Sequence, residues 1–167
     1  MTQTTGKSAE GPAPRFENGR AMLIAGLGGR YGDENRLEIP ALWRHFGPRY
    51  FGRTPGQVDR KSYGVCANMD GAGNLDYFAG VEVSRFEGLP AELRQLRIEP
   101  HRYAVFAHES HISAIGRAWM EIFEKWLPES DYALAAAPSF ECYGEAFDPG
   151  VAIGNVEIWL AVDRRVS

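Results

Sequence analysis

The order strand, helix, strand, strand occurs twice in this chain, and nothing else in the sequence constrains the fold as tightly. Arg15–Leu27 carries the apolar run AMLIAGL and predicts a buried strand. In ENRLEIPALWRHFGPRY, Pro40 suits a first helical turn, and Leu42, Trp43 and Phe46 recur at helical spacing. Gly47-Pro48 predicts the stop. KSYGVCANMDGAGNLDYFAGVEVSRF predicts a hairpin, with Asp70-Gly71 and Gly73-Asn74 as turn signals between alternating runs. LPAELRQLRIEP reads as a connector. The series then restarts with HRYAVFAHE as a strand and a helix capped by Ser110 or Ser113 that runs to Leu127, stopped by Pro128. FECYGEAF and NVEIWLAVD close it as two strands. The expected fold is α+β, a duplicated βαββ arrangement whose two sheets meet around a central cleft.

With 167 residues, the chain holds one domain or two small modules sharing a core. Residues 1–14 are polar and rich in Thr, Gly and Pro, and are expected to form a flexible tail. Residues 15–167 are expected to form one domain, with halves at about 15–87 and 97–163. The chain is 44% apolar, enough to bury a core. No apolar run approaches the roughly 20 residues of a membrane helix, and the first residues lack the apolar segment of a secretory signal. A net charge of −4 with scattered basic residues argues against nucleic acid as a partner and suits a neutral or cationic ligand. Only two cysteines, Cys66 and Cys142, are present, so a reducing cytoplasm is expected.

Cofactor and metal motifs are wanting. After Gly26 and Gly28, the third glycine of a dinucleotide fingerprint would fall at Tyr31. Asn68, Asp70 and Asp76 suggest a calcium loop, but its twelfth position would be Ala79 in place of Glu, and His108 and His111 straddle a strand-to-helix junction. Neither a nucleophile elbow nor a cysteine with a nearby His is found. No cofactor and no metal are expected.

Strand alternation isolates the candidate site. In Phe140-Glu141-Cys142-Tyr143, Glu141 and Tyr143 share one face, and Phe140 and Cys142 the other. In VEIWL, Glu157 and Trp159 share a face. If both carboxylate-and-ring faces line the cleft, they make an anionic, aromatic-walled pocket suited to a cation; the alternative is that both face solvent. Trp119, on the helix, and Tyr103, on the strand before it, are further aromatic candidates, alongside Trp43, Trp126 and Tyr63, and each has a plain core role open to it.

Six segments together resemble the GyrI-like family: IPALWRHF, YGVCANMDGAGNLDYFAGVEVS, RIEPHRYAVFAHESHIS, WMEIFEKWLPESDY, FECYGEAFDP and VEIWLAV. These are effector-binding domains, also found at the C-terminus of AraC- and MerR-type multidrug regulators. The resemblance spans roughly residues 15–163. It implies the duplicated fold with a cleft between halves, and a glutamate at the base of an aromatic pocket that faces lipophilic cations. In this chain that residue is Glu141, with Tyr143 beside it. Trp119 and Trp159 stand where such domains line their pocket. Glu157 and Tyr103 complete the ligand-binding candidates. The chain departs from the regulators in that residues 1–14 are too short and polar for a helix-turn-helix, so a stand-alone form without direct DNA contact is expected, unless a partner supplies DNA binding in trans. Some stand-alone relatives resemble hydrolases that open strained cyclopropane rings. In that case Glu141 would act as general acid or base and Tyr143 would stabilise developing charge. A protein-partner module without a ligand is the third reading.

Overall fold

The computed structural model describes residues 13–166. The expected tail lies, up to residue 12, outside the described residues. Nine strands and two main helices follow in the order β1 (Arg15–Gly19), β2 (Met22–Tyr31), α1 (Ile39–Tyr50), β3 (Ser62–Ala67), β4 (Leu75–Val83), β5 (Arg94–Ile98), β6 (His101–His108), α2 (Ile115–Glu121), β7 (Tyr132–Leu134), β8 (Ser139–Tyr143) and β9 (Val156–Arg164). A 3-10 turn, Ile112–Ala114, leads into α2, and a π turn, Ile122–Trp126, continues it to Leu127–Glu129.

The α+β class stands, with one correction. The two expected sheets are a single antiparallel sheet in the order β1-β6-β9-β8-β3-β4-β2-β5, with β7 pairing β9 beside it. The join is between β3 and β8, from Ser62 opposite Tyr143 to Cys66 opposite Ser139. Each would otherwise be an edge strand with a row of open backbone groups, and pairing them removes both edges. From this seam outward, the strands read β8-β9-β6 on one side and β3-β4-β2 on the other.

The expected single strand Arg15–Leu27 is two strands that part at Arg20-Ala21. β1 borders β6, and β2 lies near the far edge of the sheet. The connector expected at LPAELRQLRIEP holds β5, which pairs β2. Both helices outrun their expected stops: α1 includes Pro48, and the second helix passes Pro128.

Each helix covers one side of the same sheet face. Under α1 lie Ala25 and Leu27 of β2 and Ala79, Val81 and Val83 of β4, against Phe46, Leu42 and Trp43. Under α2 lie Ala104 and Phe106 of β6 and Ile158, Leu160 and Val162 of β9, against Ile122, Trp119 and Trp126. The other sheet face forms a third core that draws Met22 and Ile24 from β2, Ile98 from β5, and Tyr103 and Val105 from β6. Burying both faces explains why β3, β4 and β6 read as near-continuous apolar runs. Among the described residues no helix is long and apolar enough to cross a membrane.

Candidate functional site

The seam between β3 and β8 lies between the two helices, and Glu141 stands on its helix-facing side. Register fixes this placement. Glu141 is opposite Gly64 on β3 and Ile158 on β9, and Ile158 belongs to the core under α2. Glu141 is only 5% exposed. A buried carboxylate needs donors, and among the described residues every donor is an aromatic side chain. Oε1 accepts the hydroxyls of Tyr77 (2.9 Å) and Tyr143 (2.8 Å). Oε2 accepts the indole N–H of Trp119 (2.9 Å). The Tyr77 hydroxyl in turn accepts the indole N–H of Trp43 at 2.9 Å. Each helix therefore sends one tryptophan to the same carboxylate, α2 directly and α1 through Tyr77.

Gly64 makes the arrangement possible. A Cβ there would lie 2.2 Å from the Tyr77 hydroxyl oxygen and 2.6 Å from Glu141 Oε1. Further rings close the surroundings. Trp43 meets Tyr143 edge-on at 5.3 Å, Phe147 meets Tyr143 at 5.2 Å, and Phe123 stacks on Trp119 at 5.8 Å.

The charges are as unusual as the packing. Among the described residues no Lys or Arg pairs with Glu141. Burial holds its carboxyl above the ordinary range, against the pull of the Trp119, Tyr143 and Tyr77 hydrogen bonds and the nearby His108. Burial also pushes the Tyr77 and Tyr143 hydroxyls well up, and proximity to Glu141 adds to it. The thiol of Cys66 is raised in the same way. The donors are therefore neutral, and the network is anionic whenever Glu141 is ionised.

Of the six expected ligand-binding residues, the structure brings three together: Glu141, Tyr143 and Trp119. Trp159, Glu157 and Tyr103 belong elsewhere. Trp159 is opposite Phe140, and Glu157 opposite Cys142, which puts both on the far sheet face. There Trp159 stacks on Phe140 at 5.4 Å, and Tyr103 packs against both rings. Glu157 accepts from Trp159 at 3.0 Å and from Arg15 at 3.0 Å, a structural pairing. Sharing a face along one strand does not say which face it is, and cross-strand register decides the matter. Tyr77 was not anticipated; alternation with Phe78 marks it as half of a strand pair, and no local signal places it against Glu141. Trp43, an aromatic candidate with a core role open to it, reaches the site through Tyr77. His108, buried, meets the His111 carbonyl through Nε2 at 3.0 Å.

With this geometry in view, the likeness to known proteins is informative. Residues 17–162 match the profile of Cass2, the integron-associated effector binding proteins. The chain belongs to this family. That bears out the expected kinship with GyrI-like effector-binding domains. Solved structures agree at the level of fold. SAV2435, solved bound to tetraphenylphosphonium, is 16% identical with a TM-score of 0.74, covering 90% of this chain and 94% of its own. An integron cassette protein from the mobile metagenome of Vibrio cholerae is 19% identical with a TM-score of 0.69, covering 89% and 95%. The C-terminal domain of EcmrR is 14% identical with a TM-score of 0.69, covering 92% and 99%. No curated protein gives a match.

Proposed function

We propose that this effector-binding chain takes a small lipophilic aromatic cation between α1 and α2, with Glu141 as the residue that faces its charge. One observation carries the reading: a carboxylate 5% exposed, hydrogen-bonded among the described residues only by neutral aromatic donors. Burying an ion without a partner is costly, and a cationic ligand offsets that cost. The rings of Trp43, Trp119, Tyr143 and Phe147 add the attraction of aromatic quadrupoles for cations. Tetraphenylphosphonium, carried by the similarly folded SAV2435, is the natural first probe.

The test is calorimetric titration of tetraphenylphosphonium into the protein and into Glu141→Gln. Losing the negative charge is expected to weaken binding by about 1–4 kcal/mol, the Coulombic scale of two unit charges about 4 Å apart. Equal affinity in both proteins would remove Glu141 from the site. Glu157→Gln, on the far sheet face, is expected to bind as the parent does.

A second reading has one observation in its favour. Burial raises the Glu141 carboxyl, the direction in which a general acid is tuned, and two phenol hydroxyls stand beside it. Incubating the protein with strained cyclopropane electrophiles and following mass separates the readings. Ring-opened product that disappears in Glu141→Gln would establish hydrolysis, and unchanged electrophile leaves binding as the function.

A further inference from the structure

We infer that the site selects onium ions that carry no hydrogen-bond donor, such as quaternary ammonium or phosphonium centres, over protonated amines of the same aromatic frame. The inference deepens the reading of Glu141 as the cation-facing residue and rests on it. A carboxylate offers about four places to donors. In this molecule three are taken from within: Tyr77 and Tyr143 on Oε1, and Trp119 on Oε2. The crowding is tightest at Oε1, where even a methyl group on Gly64 would come within 2.6 Å. Tyr77 has no spare role, because its oxygen already accepts from Trp43 while its hydrogen goes to Glu141. What remains for a ligand is the field of the charge and a wall of rings.

The two kinds of cation meet that wall differently. An alkylammonium brings three N–H donors, each losing water on entry. About one place is open on the carboxylate, so the other donors go unmet against ring carbon. Each unmet buried donor weakens binding by roughly 5-fold to 150-fold. A donor-free onium centre spreads its charge over carbon-bound hydrogens and leaves nothing unmet, and it keeps the Coulombic and ring attraction. A site meant for amines would present idle acceptors. This one presents an anion whose acceptor capacity its own aromatic side chains have used.

Benzyltrimethylammonium and benzylamine, the latter protonated at pH 7, test this by calorimetric competition with tetraphenylphosphonium. The quaternary ion also carries more apolar surface, so the decisive quantity is how the preference changes when acceptors are freed. Tyr143→Phe and Tyr77→Phe each free a place on Oε1, and Trp119→Phe frees one on Oε2. Urea unfolding of each variant shows which of them fold, and any folded one suffices. The parent is expected to prefer the quaternary ion by about 100-fold or more, and a freed place to cut that preference by roughly tenfold through a gain for the amine. Equal affinities in the parent, or a preference unmoved in the folded variants, overturn the inference. If both ions bind the parent and Glu141→Gln weakens both, that overturn leaves the cation reading standing. If neither ion nor tetraphenylphosphonium binds the parent, or Glu141→Gln leaves binding unchanged, the cation reading itself falls.

Discussion

At position 64 the chain has room for a hydrogen atom and little else, because the rigid ring of Tyr77 ends 2.2 Å from where a Cβ would sit. Gly64→Ala is expected to lower stability by about 1–3 kcal/mol, the usual cost of overpacking. Urea unfolding checks this, and a neutral result would mean that the network can shift. The raised carboxyl of Glu141 gives a signed pH effect. The folded state holds this proton more tightly than the unfolded chain, so stability falls as pH rises from the ordinary glutamate range through the folded-state value. Glu141→Gln is expected to lose that segment of the pH profile and to be at least as stable as the parent above it, as melting temperatures between pH 4 and 8 would show. Tyr103 poses the opposite problem. It is 1% exposed, with a hydroxyl that has no partner among the described residues and is pushed up to about 12 by burial. Tyr103→Phe is expected to stabilise by about 1 kcal/mol, since an unmet buried polar group is removed. At this scale the sequence showed that Glu141 and Tyr143 look the same way, because alternation is a local property. That Glu157 and Trp159 look the other way depends on the pairing of Phe140 with Trp159, which no local pattern contains.

Among the elements, the strands flanking long apolar runs were legible, and those defined by partners were not. β5 exposes Arg94, Gln95 and Arg97 and has an apolar residue only at Leu96 and Ile98, so it lacks a run to recognise, and its pairing with β2 makes it a strand. The helices passed their prolines for local reasons. Pro48 falls in the final turn of α1, where few later bonds are lost. Pro128 follows the π turn Ile122–Trp126, whose wider winding accommodates a ring that cannot continue the regular ladder. The β3–β4 turn was legible, and its chemistry yields a further prediction. Asp70 accepts from the Asn74 side chain and from the Ala72 and Asn74 backbone N–H groups, which holds its pKa at about 2. A depressed carboxyl contributes stability above its unfolded value, and the contribution fades as pH falls towards about 2. Asp70→Ala is therefore expected to melt below the parent at pH 6 and to converge with it near pH 2. A gap that stayed constant across that range would show the turn to be indifferent to the charge.

For the whole molecule, the exchange of edge strands matters most. β1 precedes β2 in sequence yet borders β6, and β5 precedes β6 yet borders β2. Phe16 of β1 stacks on Tyr132 at 4.9 Å, far along the chain. Neither half can therefore complete its sheet alone, although the sequence reading placed a half-boundary in this region. Fragments divided between Gly88 and Leu89 are expected to be unfolded singly and to regain strand and helix signals in circular dichroism when mixed. A fragment that melted cooperatively alone would refute this. Because the seam is shared, the two indoles that converge on Glu141 come from helices on opposite sides of it. Both are fluorophores, and both N–H groups are tied, directly or through one hydroxyl, to a single ionisable group. Protonating that group, or bringing a charge against it, alters the field felt by both rings at once. The chain thus carries its own optical reporter, whose emission should register occupancy with no label attached.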